Sequence, residues 1–138
     1  NVFTDNINCD FLMRQNLLKI NIMLIADLKS IHSPDILDLE EFSSNQEEIY
    51  FLLELGIGIK DKDGEEYFYL EICNAKYIQS IREPMILNKI LLIQEYNFKK
   101  LEKYIQYKIN SISGNSWQEI VEKITSFTEW EFDKYKEN

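Results

Sequence analysis

The chain has 138 residues, 45% hydrophobic and 28% charged, with 8 Phe, 8 Tyr and 2 Trp against only 4 Gly and 2 Pro. It is long enough for one core without metal or disulfide staples and too apolar to remain disordered. Fifteen basic and 24 acidic residues leave a formal charge of −9, which repels nucleic acid and anionic membranes and attracts basic protein surfaces.

Residues 1–22 read as an N-terminal extension to a single domain, 23–138. "NVFTDNINCDFLMRQ" carries Asp5 and Asp10 and lacks a basic stretch followed by an apolar run, so it does not read as a signal peptide. Nowhere do 18 apolar residues run together, and a soluble cytoplasmic protein is expected. Cys9 and Cys73 are far apart, without metal-type spacing, and read as free thiols.

Residues 20–30 alternate, Ile20, Ile22, Leu24, Ala26 and Leu28 against Asn21, Asp27 and Lys29, the period of a half-buried strand that Pro34 ends. Residues 35–48 hold six acids and no base, and read as a loop with one short helical turn. From Tyr50, Phe51, Leu53, Leu55, Ile57 and Ile59 face one way and Glu54, Gly56, Gly58 and Lys60 the other. The turn sequence "DKDG" (61–64) follows. Phe68, Leu70 and Ile72 then alternate with Tyr67, Tyr69, Glu71 and Cys73, which completes a β-hairpin.

"NAKYIQSIRE" (74–83) predicts a short helix stopped by Pro84. "KILLIQEY" (89–96) is short and apolar, as a strand buried on both faces would be. Phe98, Leu101, Ile105, Ile109 and Ile112 then fall at helical steps, with Gly114 placed to cap the C-terminus. Ser116 and Glu119 form a capping box for a last helix with Trp117, Ile120, Val121, Ile124 and Phe127 on its apolar face. The expected fold is α+β: an antiparallel or mixed sheet of about four strands with two C-terminal helices packed on one face.

The chemistry centres on "SIHSPDILDLEEF" (30–42), where the only histidine, His32, stands near Asp35, Asp38, Glu40 and Glu41. A base oriented by a carboxylate would serve a small acid/base or metal-dependent enzyme. Against that, one histidine excludes the common multi-histidine metal sites, and no glycine-rich elbow supplies an oxyanion hole beside Ser30 or Ser33. "DKDGEE" lacks the distal glutamate of a calcium loop. No catalytic, metal or cofactor site is assigned. The acids are either a solvated loop or a binding surface. Trp117 is read as packing rather than a ligand platform; Trp130, Phe132 and Tyr135, crowded with acids at the end of the last helix, either anchor the terminus or supply interface hot spots.

In order and spacing, "LIADLKSIHSPDILDLEEF", "FLLELGIGIK" with "GEEYFYLEIC", "LLIQEYNFKKLEKYI" and "SWQEIVEKITSFTEWEFDKY" resemble the immunity protein 8 family of bacterial polymorphic-toxin and contact-dependent inhibition systems. The resemblance runs from about Met23 to Lys136. Its most specific pieces are "LKSIHSPD", the tryptophan opening the last helix and "WEFDKY"; Tyr77 stands where a tryptophan is expected, and residues 1–22 have no counterpart. It implies a cytoplasmic immunity protein that binds and neutralises a cognate toxin domain, with no enzymatic activity. An acidic adaptor for some other basic partner is a further reading.

Charge makes Asp35, Asp38, Glu40, Glu41, Glu47 and Glu48 the first candidates for toxin contact, followed by Tyr67 and Tyr69. The motif residues His32, Pro34, Trp117, Trp130, Glu131, Phe132 and Tyr135 are expected to be structural.

Overall fold

Side chains on a strand point alternately to opposite faces, and that period builds the centre of this protein. The structure, a computed structural model, describes residues 23–42 and 47–133. Strand β1 (Leu24–His32) is followed by β2 (Tyr50–Ile59), β3 (Glu66–Asn74), helix α1 (Ala75–Ser80), β4 (Ile90–Ile93), α2 (Phe98–Asn110), β5 (Ser113–Gly114), α3 (Trp117–Ile124) and β6 (Glu129–Trp130). The N-terminal extension, the expected strand start at Ile20 and Ile22, Cys9, residues 43–46 and Tyr135 lie outside the described residues.

The strands form one mixed sheet in the order β4-β3-β2-β1-β5, with β6 added against β3. β3 and β4 run parallel and the other pairs antiparallel. The α+β class and mixed sheet are therefore as the sequence predicts, with β5 and β6 as two short strands beyond the expected four. Phe51, Leu53, Leu55 and Ile57 of β2 and Phe68, Leu70 and Ile72 of β3 are buried on the inner face, against Leu101, Ile105 and Ile109 of α2 and Ile120, Val121 and Ile124 of α3.

The hairpin turn needs its glycine. Gly64 has φ +98°, a left-handed conformation that strains any side chain, and a Cβ on Gly58 would stand 2.2 Å from the Gly64 carbonyl oxygen.

Several local expectations are corrected. The alternation of β1 does not persist, because the register slips between Leu28 and Ser30 in a bulge. Ile31 consequently joins Leu28 in packing against the core, and the Leu28 amide donates to Asn110 Oδ1 at 3.0 Å. β4 is not buried on both faces: it is an edge strand, with Leu92 55% exposed. Gly114 does not cap α2, whose C-cap is Ser111; it pairs with Leu24 in β5 instead. Cys73, expected on the polar face, is fully buried, at the end of β3 where α1 begins. Trp130 is in a strand rather than at a helix end.

The acidic loop is not wholly solvated either. Leu39 and Ile49 are buried, and Phe42 meets Phe51 and Tyr96 with ring centroids 5.8 and 4.8 Å apart. The Tyr96 hydroxyl donates to the Leu39 carbonyl. Buried Asn74 fastens the loop's return: its Oδ1 accepts from the Ile49 and Tyr77 amides, both at 3.0 Å, so one side chain holds the start of β2 and caps α1.

Candidate functional site

The register puts Asp27, Ser30 and His32 of β1, Leu52, Glu54, Gly56 and Gly58 of β2, and Tyr67, Tyr69 and Glu71 of β3 on the outer face, away from α2 and α3. His32, Glu54 and Tyr69 stand in one cross-strand row. Tyr67 is opposite Gly56, Glu71 is opposite Leu52, and Glu129 of β6 is beside Tyr69.

Hydroxyl groups hold the carboxylates at both ends of this face. The Glu65 carboxylate accepts from Ser30 Oγ and from the Tyr67 hydroxyl at 3.2 Å, and a Cβ on Gly56 would strike both Ser30 Oγ and Glu65. Glycine at 56 makes room for that bridge. At the other end the Tyr50 hydroxyl donates to Glu71, while the Tyr50 ring stacks on Tyr77 of α1 with centroids 4.5 Å apart. These bonds to carboxylates push both phenols above their ordinary range, Tyr50 with an added contribution from burial. Burial and then Glu71 push the Cys73 thiol up in the same way.

Much of the acidic loop serves the fold. Beyond His32 the backbone ladder between β1 and β2 stops, and side chains continue it: Ser33 Oγ donates to the Leu52 carbonyl at 2.7 Å, and Asp35 Oδ2 accepts from the Leu52 amide at 2.8 Å. Ser33 Oγ also accepts from the amides of Asp35 and Ile36, turning the chain at Pro34. Asp38 Oδ1 accepts from the Glu40 and Glu41 amides. Asp35 and Asp38 thus satisfy backbone donors rather than orienting His32.

Glu40, Glu41, Glu47 and Glu48 are exposed, with Glu47 3.9 Å from Lys76, and Leu37 projects fully into solvent between them and Pro34. A cleft of about 370 Å³ lies beside Glu40 and Leu37, lined also by His32, Asp38, Phe98 and Glu102 among others. Among the described residues no group of three or more His, Cys, Asp or Glu could hold a metal ion.

The chain matches Immunity protein 8 over residues 26–135. It belongs to that family. No curated protein and no solved structure matches it.

The segments that carry the family resemblance converge in space. Glu66 Oε2 accepts from the indole N–H of Trp117 at 3.0 Å and from that of Trp130 at 2.9 Å, so one carboxylate oxygen joins β3, α3 and β6. Phe68 lies between the same two rings, edge-on to Trp117 and stacked with Trp130, at centroid distances of 6.3 and 6.4 Å. Glu131 exchanges both of its bonds with Tyr67, its amide donating to the Tyr67 carbonyl and its Oε1 accepting from the Tyr67 amide. Phe132 packs edge-on against Trp130, 5.0 Å between centroids. "WEF" is thereby a clip on the outer edge of β3.

Sequence reasoning passed over Glu54, Glu65, Glu71, Tyr50 and Leu37 as candidates. The signal for Glu54 and Glu71 was present, since the alternation assigns both to the polar face of the hairpin. No sequence signal pairs Glu65 with Ser30, because that contact depends on the β1–β2–β3 register. Among the described residues no helix is long and apolar enough to cross a membrane.

Proposed function

We propose that this chain binds a cognate bacterial toxin domain in the cytoplasm and neutralises it by contact rather than by chemistry. Membership in Immunity protein 8 over most of its length carries the reading. The charge of −9 supports a toxin with a basic surface, such as a nuclease whose substrate groove is cationic. Complementary charge speeds encounter and selects the partner, while affinity rests on a few desolvated anchors. The exposed acids Glu40, Glu41, Glu47 and Glu48 with Leu37, and the outer-face tyrosines Tyr67 and Tyr69, have the chemistry for these two roles.

The enzyme reading is weaker, because the carboxylates nearest His32 in sequence, Asp35 and Asp38, are engaged by backbone amides. Co-expression with the toxin domain encoded beside this chain tests the proposal. The expected result is restored growth and co-purification of a stoichiometric complex. Undiminished toxicity in the presence of the folded chain would sink it. Metal-dependent turnover by the purified protein that vanishes in His32→Ala would replace it with the enzyme.

A further inference from the structure

We infer that the outer face of the β1–β2–β3 sheet, centred on Glu54 and Tyr69 and bounded by Glu65 and Glu71, is the docking surface for arginine and lysine side chains of the toxin domain. The inference rests on the immunity reading and goes beyond it by choosing the sheet face over the acidic loop and by naming the partner's chemistry.

Charge is the first ground. On the solvent side of an antiparallel sheet, opposite charges paired across strands stabilise and uncompensated like charges do not. Here Asp27, Glu54, Glu65 and Glu71 share one face, and among the described residues none of them has a cation within ion-pair distance; the pairs present are Lys76–Glu47, Lys89–Glu129 and Lys123–Glu119. Lys29 of β1 donates its ammonium to the Lys62 carbonyl. Two of the four acids are held by hydroxyls, which fix a carboxylate's position and leave its charge in place.

Pre-organisation is the second ground. Glu65 is locked by Ser30 and Tyr67, and Glu71 by Tyr50, whose own ring is stacked on Tyr77. An acceptor already fixed loses little side-chain freedom on binding. Tyr67, Tyr69 and Glu71 follow at successive outward positions of one strand, about 6.7 Å apart, which sets two aromatic side chains in line with a carboxylate, the groups a guanidinium stacks on and pairs with. The loop is less regular: Asp35 and Asp38 are also held, by backbone amides, but with Glu40 and Glu41 they lie on an irregular segment rather than at successive outward positions of one strand. A second copy of this chain is a poor occupant, since two such faces repel each other.

The test uses the full chain and the toxin domain encoded beside it. Replacing Glu54, Glu65 and Glu71 together by Gln keeps the hydroxyl contacts and removes three charges. We expect association at least tenfold slower at low salt, with flattened salt dependence; Tyr69→Ala should chiefly speed dissociation; Glu40→Gln with Glu41→Gln should change either rate less than threefold. The triple variant should also melt no lower than the parent, because it relieves repulsion.

If the triple variant melts lower, Glu54→Lys alone carries the same test, with at least a tenfold loss expected. Wild-type rates in the sheet variants, beside a protein that still binds and protects, overturn this docking face and leave the immunity reading standing. Self-association abolished by the same substitutions overturns it as well. An unmodified chain that neither binds nor protects ends both.

Discussion

The two faces of the hairpin β2–β3 are made from the same backbone, residue by residue in alternation, and they do opposite things. Inward, Phe51, Leu53, Leu55, Ile57, Phe68 and Ile72 are buried to within 2% of completely. Outward, Glu54, Tyr67, Tyr69 and Glu71 remain partly open to water. The inner face gains by excluding water and its chemistry is interchangeable apart from shape, whereas the outer face carries carboxylates with no cation in ion-pair distance among the described residues. One backbone period thus separates the side chains that hold the domain together from those it can present to a partner.

The contrast is most easily broken at two neighbouring positions of β3. Phe68→Ala should lose about 3–5 kcal/mol, because it empties a fully buried site between two indoles. Urea unfolding measures it, and a loss under about 1 kcal/mol would mean the inner face is not the core.

Glu66→Ala comes next. It leaves two indole N–H groups without their acceptor, and a loss of about 2–3 kcal/mol is expected for charge-assisted bonds in a half-buried setting, with Glu66→Gln clearly milder. Equal effects of the two substitutions would remove the hydrogen bonds from the explanation. Asp35→Ala should cost about 1–2 kcal/mol through the Leu52 amide, against under about 0.5 kcal/mol for the exposed Glu41→Ala. Parity between these acids would return Asp35 to the interface candidates.

Alkali sharpens the same distinction. Burial raises the Tyr96 phenol from 10.0 to about 12, so its neutral form is favoured in the folded state. The stability tied to that neutrality is complete below pH 10 and is lost as pH rises through about 12. Unfolding curves from pH 9 upward should show this fall, and Tyr96→Phe should flatten it while costing about 1 kcal/mol at neutral pH for the bond to Leu39. An identical alkaline slope in the variant would assign the fall to other groups. The smallest effect is expected for Glu54→Gln, within about 0.5 kcal/mol in stability. A larger loss would make the outer face structural.

How far the sequence could be read follows from how local each feature is. The bounds of β2, the "DKDG" turn, the Ser116 cap of α3 and the polar face carrying Glu54 and Glu71 were legible, because each depends on residues a few positions apart. The "SPD" turn was visible as a break; its role in continuing the β1–β2 ladder was not, since Leu52 lies 17 residues beyond Asp35. The helical assignment of "WEF" failed for a similar reason: acids interleaved with aromatics suit a helix end and a short strand equally, and only β3 decides.

The sequence by itself determined the class of the fold, the central hairpin, the two longer helices and, through "LKSIHSPD" and "WEFDKY", the family. Tertiary structure alone decided the bulge beyond Leu28, the edge position of β4, the shared bond of Trp117 and Trp130 to Glu66, and the fixing of Glu65 and Glu71 on the open face. Periodicity and capping are satisfied within a few residues of chain, so any sequence carries them openly. A hydrogen bond such as that from Trp130 to Glu66, 64 residues away, exists only once the intervening elements have packed, and no pattern in either segment specifies it beforehand.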